Sequence, residues 1–150
     1  MPQSFTSLHY HIVFSTKERR SMIVGDFRDR LYEYIGGVLK ENDGKLIAVG
    51  GMPDHIHILA SINKELSISA ALRLMKSNSS KWVHETFPKH RKFAWQAGYG
   101  AFAVSYSKLD TVKKYIANQE RHHRKSTFNE EFKSLLIKHD LEFNEQYLWA

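Results

Sequence analysis

The stretch "GMPDHIHILASI", residues 51–62, decides how the fold of this chain is interpreted. Side chains alternate between the two faces of a β-strand, and here one face is entirely apolar. That face carries Ile56, Ile58, Ala60 and Ile62. The other face carries His55 and His57, about 6 to 7 Å apart at the backbone of a strand, which is close enough for both imidazoles to bind one ion. The stretch therefore predicts a strand with one core face and one face available for chemistry.

The segments before this strand predict a strand, a helix and a second strand. Alternating β-forming residues predict the first strand in "LHYHIVFSTK" (8–17), and apolar residues at helical spacing predict a helix in "DFRDRLYEYIGGVLKEN" (26–42). "NDG" (42–44) is expected to end that helix. "KLIAVGG" (45–51) predicts the second strand, which the turn "MPD" (52–54) joins to the third in a hairpin.

The segments after it predict a helix, a strand and two further helices. The next helix is predicted in "SISAALRLMKSNSSKWVHETF" (67–87), and strand character in "FAWQAGYGAFAVSYS" (93–107) is broken by glycines. A third helix is expected to start near Ser107, capped by that hydroxyl, and to continue through "KLDTVKKYIANQERHH" (108–123). A fourth is expected in "STFNEEFKSLLIKHD" (126–140), which contains a capping-box spacing.

This order of elements predicts an α+β protein. The succession β-α-β-β-α-β matches the ferredoxin-like arrangement, an antiparallel sheet with helices packed on it, followed here by C-terminal helices. With 150 residues the chain is expected to form one domain, residues 1–150. It has no Cys, which excludes disulfides and thiolate zinc sites.

The charge balance favours a polyanionic partner. Lys and Arg number 22 against 16 Asp and Glu, a net charge of +6, and basic side chains release counterions when they meet phosphates. A basic protein without such a partner would have the same charge. No apolar run approaches the roughly 18 to 20 residues of a membrane span, and the N-terminus lacks a secretion signal. We therefore expect no membrane contact and a cytoplasmic, nucleoid-associated location.

The histidine pair alone leaves two interpretations open. It could hold a metal ion, with Asp54 as a further ligand or as a hydrogen-bond partner that orients a ligand. It could also be a half-exposed pair without any ligand, because the same spacing recurs at His9 and His11. A third ligand and a nucleophile would favour the metal site.

Tyr115 and Gln119 are candidates for these two roles. They are four residues apart on the third predicted helix, and therefore one turn apart on the same face. An amide oxygen suits a hard cation such as Mg²⁺ or Mn²⁺, and a tyrosine hydroxyl beside such an ion can attack phosphorus. A core aromatic residue and a surface amide would have the same spacing.

Four segments, in this order, resemble a known family. They are "HIVFSTKERR" (11–20), "GGMPDHIHIL" (50–59), "VKKYIANQERHHRK" (112–125) and "EFNEQYLW" (142–149). Together they resemble the His-hydrophobic-His (HUH) single-tyrosine transposases of the insertion-sequence-200/605 family. The resemblance covers essentially the whole chain, and "PDHIHIL" followed by "YIxxQ" is its most specific part.

The resemblance implies an enzyme that cleaves and rejoins single-stranded DNA at insertion-sequence ends. His55, His57 and Gln119 match the metal ligands, for Mg²⁺ or Mn²⁺, and Tyr115 matches the nucleophile. Attack by Tyr115 on a phosphodiester would leave a 5′-phosphotyrosine and a free 3′-OH. The implied substrate carries hairpin ends, and the implied assembly is a homodimer in which the tyrosine helix of one subunit completes the site of the other.

DNA contacts are expected from basic side chains and exposed aromatic rings. The basic candidates are Lys17, Arg19, Arg20, Arg73, Lys76, Lys81, Lys113 and Lys114. Trp82, Trp95 and Tyr99 could stack on unpaired bases, although the two tryptophans also fit the core.

Three alternatives compete with this interpretation. A histidine-triad nucleotide hydrolase needs a third histidine where this chain has Leu59. A non-catalytic, domesticated nucleic-acid-binding module of the same fold would keep the sheet and the basic surface but lose the site. A plasmid replication protein or relaxase shares the chemistry but is normally larger.

Overall fold

The computed structural model describes residues 2–149 and contains one four-stranded antiparallel sheet. Its strands are β1 (His9–Ser15), β2 (Lys45–Met52), β3 (His55–Ser61) and β4 (Gly100–Val104). Their order across the sheet is β2-β3-β1-β4, and every neighbouring pair is antiparallel. The ferredoxin-like α+β prediction is confirmed, including the hairpin between β2 and β3.

Helices connect the strands and follow the last of them. They are α1 (Gly25–Glu41), α2 (Ile68–Thr86), α3 (Leu109–Ala117), α4 (Gln119–His122), α5 (Phe128–Lys138) and α6 (Glu145–Leu148). Within residues 2–149, none of these helices is long and apolar enough to span a bilayer.

One face of the sheet carries the larger core. Ile12 and Phe14 of β1 and Ile56 and Ile58 of β3 are fully buried there, against the apolar sides of α1 and α2. The even-numbered residues of β1 and β3 supply this face, as the alternation in 51–62 predicts for β3.

The opposite face carries a second, smaller cluster. Val13 of β1 and Phe102 of β4 pack against α5 through Phe128 and Phe132. The helix α3 lies on the same side, across β2 and β3. Residues His55 and His57 face this side, between α3 and α5.

Local capping explains where two of the helices begin. Ser67 Oγ accepts a hydrogen bond from the backbone N–H of Ala70 at the start of α2. Thr127 and Glu130 form the predicted capping box at the start of α5, in which each side chain bonds to the backbone N–H of the other residue.

The predicted third helix differs from the structure at its start and at Asn118. Residues 106–108 form a 3-10 turn, so α3 begins at Leu109 after Lys108, and no side chain caps it. The proposed Ser107 cap is therefore wrong. Asn118, with φ −98° and ψ 20°, separates α3 from α4, and the predicted single helix is two shorter ones.

The two tryptophans belong to the core side of the fold. The Trp82 ring stacks on Tyr34 with ring centroids 4.6 Å apart. Trp95 donates its indole N–H to Ser79 Oγ at 3.0 Å. Tyr99 is more exposed, at 37%.

Candidate metal and tyrosine site

The two histidines of β3 are brought together on the smaller face of the sheet. His55 pairs with Ser15 of β1, and His57 pairs with Val13. Both imidazoles are fully buried, and their ring centroids lie 5.1 Å apart. The two histidines are therefore buried and not half-exposed.

Each of the two rings has a partner at its Nδ1 atom. His55 Nδ1 lies 2.7 Å from Asp54 Oδ1. Because a carboxylate oxygen accepts, this contact places the hydrogen on Nδ1 and turns Nε2 toward the interior. His57 Nδ1 lies 2.8 Å from His11 Nε2. Sequence reasoning used His11 only to show how often the spacing arises, whereas His9 lies apart, near Ser7.

The packing of α3 on β2 brings Tyr115 and Gln119 of the same chain to the histidines. Gly50 of β2 pairs with His57 and makes room for α3, since a Cβ there would lie 2.9 Å from Ile116 O. Gln119 is buried, with its Oε1 3.1 Å from His55 Nε2. The Tyr115 ring centroid lies 5.7 Å from that of His57.

Glu131 of α5 lies at the centre of the cluster, and sequence reasoning missed it. Its Oε1 lies 3.0 Å from His57 Nε2 and 3.4 Å from His55 Nε2. Its Oε2 accepts hydrogen bonds from the Tyr115 hydroxyl and, at 2.9 Å, from Gln119 Nε2. The available signal was a carboxylate on an otherwise apolar helix face, the one that carries the buried residues Phe128, Phe132 and Leu135.

His123, just after α4, was also missed as a site residue. Its Nε2 lies 3.1 Å from Gln119 Oε1 and 3.1 Å from Glu131 Oε1. In the sequence, His123 stands among basic residues in "RHHRK" (121–125), where it resembles a solvated surface residue. Its spacing from Gln119 is again four residues, which extends the face that carries Tyr115 by one more turn.

The carboxylates of Asp54 and Glu131 favour a positive charge on the neighbouring imidazole of His55. Burial alone would lower the pKa of His55, but hydrogen bonds with Asp54 and Glu131 outweigh it and raise the pKa to about 9. Burial alone would raise the pKa of Glu131, but hydrogen bonds with His55 and His57 hold it well below its usual range. Burial, and then the hydrogen bond with Glu131, raise the pKa of Tyr115 well above its ordinary value.

These residues fit a divalent metal ion. Ligand atoms of His55, His57 and Glu131 all lie within 4.8 Å of one another and are buried. Gln119 Oε1, the ligand proposed from sequence, lies beside His55 Nε2. Imidazole nitrogens with a carboxylate and an amide oxygen are an ordinary donor set for a divalent ion, and the negative charge of the carboxylate supports its binding.

The basic candidates occupy several different environments. Lys17, Arg73, Lys81 and Lys114 are exposed. Arg20 pairs with Glu18 at 2.9 Å, and Lys113 lies 3.9 Å from Asp110. The guanidinium of Arg19 lies 5.5 Å from the Trp149 ring centroid.

Lys76 differs from the other basic candidates because backbone oxygens surround its ammonium group. Its Nζ donates to the carbonyls of Gln96, Ala97 and Gly98 at 2.6, 3.2 and 3.0 Å. These contacts hold the loop that leads into β4.

Two clefts border the cluster. One, of about 630 Å³, has Gln119 in its wall. The other, of about 510 Å³, is lined by Asp54 and His123 together with Arg124 and Lys125. The second cleft, whose wall also includes Glu130, therefore leads to the buried centre past two basic and two acidic side chains.

The chain is similar in sequence to known transposases. Residues 4–119 match the family model described as "Transposase IS200 like". The chain is 26% identical over 117 residues to the ISDra2 transposase TnpA of Deinococcus radiodurans, covering 75% of this chain and 84% of that protein. It is 28% identical over 116 residues to the transposase for insertion sequence element IS200 of Salmonella typhimurium, covering 73% and 75%.

Solved structures share the fold. A transposase candidate from Deinococcus radiodurans R1 superposes with a TM-score of 0.64 and 25% identity, covering 79% of this chain and 96% of that one. A REP-associated tyrosine transposase bound to a REP hairpin gives a TM-score of 0.59 at 17% identity, covering 82% and 74%. Since the family match spans most of the sequence and the fold agrees, the chain belongs to the IS200-like family of DNA transposases.

Proposed function

We propose that this protein cleaves and rejoins single-stranded DNA at insertion-sequence ends, with Tyr115 as the nucleophile and a divalent ion at His55, His57 and Gln119. The observation that carries the proposal is the position of Glu131. One of its oxygens accepts the hydroxyl hydrogen of Tyr115, while the other faces both histidines of β3. The Glu131 carboxylate therefore connects the Tyr115 hydroxyl with the two imidazoles.

The chain positions the reacting groups in three ways. Asp54 orients His55, His11 contacts His57, and Gln119 donates to Glu131 so that its amide oxygen faces His55. When bound, Mg²⁺ or Mn²⁺ would polarise the scissile phosphate and neutralise charge that develops on it. This help is needed because the pKa of Tyr115 lies above the ordinary value for a phenol.

The reaction exchanges one phosphoester bond for another. Tyr115 Oη forms a bond to phosphorus, and the bond from phosphorus to the 3′ oxygen breaks. Glu131 Oε2, which already accepts the hydroxyl hydrogen, takes that proton as the bond forms, and water supplies the proton that makes the leaving oxygen a 3′-OH. The product is a 5′-phosphotyrosine, so the 3′-OH can reverse the step and join strands without ATP.

Binding of the DNA rests on the basic surface. We assign phosphate contacts to Lys17, Arg19, Arg20, Arg73, Lys81, Lys113 and Lys114, and include Lys76 as a loop-holding residue near them. Arg124 and Lys125 in the cleft beside Asp54 support a path for the strand. The DNA is proposed to carry a hairpin, as the DNA of the REP-associated relative does, and the working form is proposed to be a homodimer.

A covalent adduct tests the proposal. The protein is incubated with Mn²⁺ and single-stranded oligonucleotides taken from the DNA that flanks its own coding region, and the products are separated on a denaturing gel. A protein–DNA adduct is expected, which chelator and Tyr115→Phe abolish and duplex DNA does not form. Tyr106→Phe, at a tyrosine 76% exposed, is the control and should keep the adduct. DNA binding without any adduct would instead indicate a non-catalytic module.

A further inference from the structure

His123 directs its Nε2 atom at Gln119 Oε1 and Glu131 Oε1 in the centre of the cluster. Its side chain is 7% exposed, and its Nδ1 lies 2.9 Å from the backbone oxygen of Ser126. A carbonyl oxygen only accepts hydrogen bonds, so the hydrogen of the neutral ring is on Nδ1 and the lone pair is on Nε2. A backbone carbonyl that holds Nδ1 in this way is the usual support of a metal-binding histidine.

Five polar atoms face one another at this point. They are the Nε2 atoms of His55, His57 and His123 and the Oε1 atoms of Gln119 and Glu131, with neighbouring contacts of 3.0 to 3.4 Å. Both oxygens only accept hydrogen bonds. Metal binding requires neutral imidazoles, and His55 and His123 would then keep their hydrogens on Nδ1, where Asp54 Oδ1 and Ser126 O accept them. A cation among these atoms would take the place of the hydrogens lost from Nε2.

Helix geometry selects His123 and excludes its neighbour. Tyr115, Gln119 and His123 follow one another at intervals of four residues, and the His123 N–H donates to Gln119 O at 3.0 Å, so the helical turn continues across α4. His122, one residue earlier, is exposed and packs its ring on Tyr115 with centroids 4.6 Å apart.

We propose that His123 Nε2 is a ligand of the divalent ion, beside His55 and His57, and that this third imidazole makes the site prefer Mn²⁺ over Mg²⁺. The inference rests on the metal site of the proposed function and adds its selectivity. Mg²⁺ favours oxygen ligands and keeps its waters, whereas imidazole nitrogen suits first-row transition ions. Three nitrogens against two oxygens therefore disfavour Mg²⁺.

Metal-binding measurements test this ligand without relying on activity. Affinities for Mn²⁺ and for Mg²⁺ are measured separately by calorimetry on wild type, His123→Ala and His122→Ala. Removal of the ligand is expected to weaken Mn²⁺ binding by about 10- to 100-fold, as loss of groups at a metal site typically does. Mg²⁺ binding should change by no more than about 3-fold, because oxygen ligands carry it. His122→Ala should match wild type for both ions.

Each of the other outcomes contradicts a different part of the proposal. If wild type binds Mn²⁺ and His123→Ala binds it equally well, His123 is not a ligand although the proposed site stands. If His123→Ala weakens both ions by the same factor, His123 only positions Gln119 and the ligand assignment fails. If wild type binds neither ion, the metal site of the proposed function fails as well.

The same inference can be checked on wild type alone, should His123→Ala not fold. Pulsed electron paramagnetic resonance on the Mn²⁺-loaded protein reports nitrogen nuclei of coordinated imidazoles, and three imidazoles are expected. A spectrum that two imidazoles explain would overturn the inference. His123→Gln, which replaces the nitrogen by an amide oxygen on a side chain of similar length, should reduce the ratio of Mn²⁺ to Mg²⁺ affinity.

Discussion

Gly50 lies directly beneath the backbone carbonyl of Ile116. A Cβ on Gly50 would lie 2.9 Å from that oxygen and 3.0 Å from Ile116 Cγ2. Gly50 is also the β2 partner of His57, and Ile116 follows Tyr115 in α3. The absence of a side chain at this one position is therefore what allows the tyrosine helix to approach the histidine strand.

Gly50→Ala should push α3 away from the sheet. The methyl group would meet backbone, which cannot move alone, so we expect a loss of stability of about 1 to 3 kcal/mol. The yield of the DNA adduct should fall because Tyr115 moves with the helix. Urea unfolding and the denaturing gel measure the two effects. Gly37→Ala, inside α1 with open space around it, is the control and should stabilise the fold by about 0.5 to 1 kcal/mol.

Asp54→Asn should weaken metal binding because the Asp54 carboxylate contacts His55 Nδ1 and orients that ring. The carboxylate holds His55 Nδ1 at 2.7 Å and so directs His55 Nε2 into the cluster. Loss of this support is expected to lower Mn²⁺ affinity by about 10- to 100-fold, measured by calorimetry. Asp29→Asn, at an exposed pair with Arg28, should leave the affinity unchanged. Wild-type affinity in Asp54→Asn would mean that His55 needs no orienting partner.

Thr127→Ala should loosen the helix that carries Glu131. Thr127 Oγ1 accepts from the Glu130 N–H at the start of α5, and such caps contribute about 1 kcal/mol. We expect a loss of that size in urea unfolding. The control is Ser126→Ala, whose hydroxyl lies 3.4 Å from His122 O and should contribute little. Equal stability of the two variants would contradict the capping argument.

The variants Lys76→Met and Lys81→Met should distinguish a lysine that stabilises the fold from one that is proposed to bind DNA. Lys76 donates to three loop carbonyls, and hydrogen bonds of charged groups contribute about 1.5 to 3 kcal/mol, so its loss should lower stability by about 2 kcal/mol. The exposed Lys81 should leave stability within about 0.5 kcal/mol of wild type. Lys81→Met should instead weaken hairpin binding and reduce the salt dependence by about one phosphate contact.

The strands and most helices could be predicted because their signals are local. Alternation around His55 and His57 marks the two faces of β3, and the Thr127 capping box marks the start of α5. The third helix was predicted less well, because Lys108 starts α3 without a side-chain cap and Asn118 divides the helix by its own backbone angles. No pattern in the sequence indicated that the start of α3 lacks a cap or that the helix is divided at Asn118.

The candidate site could be predicted only where its residues carry a recognisable spacing. Tyr115 and Gln119 carry the four-residue spacing, and the structure brings both to the histidines although Asn118 divides α3 from α4. Glu131 and His11 come from other segments and meet them only through tertiary packing. His123 repeats the four-residue spacing from Gln119, but that spacing alone does not distinguish it from the basic surface residues beside it. A buried carboxylate on an apolar helix face was the one sequence signal that pointed to Glu131.

Because side chains alternate in β3, the same register places its isoleucines in the core and its histidines in the candidate site. Each imidazole at positions 55 and 57 has an isoleucine beside it whose side chain enters the opposite core. A shift of this strand by one residue would bury two imidazoles in hydrocarbon and turn Ile56 and Ile58 toward Glu131, leaving its carboxylate without counterions. A chain with β3 shifted by one residue would therefore lose both its stability and the proposed cleavage site.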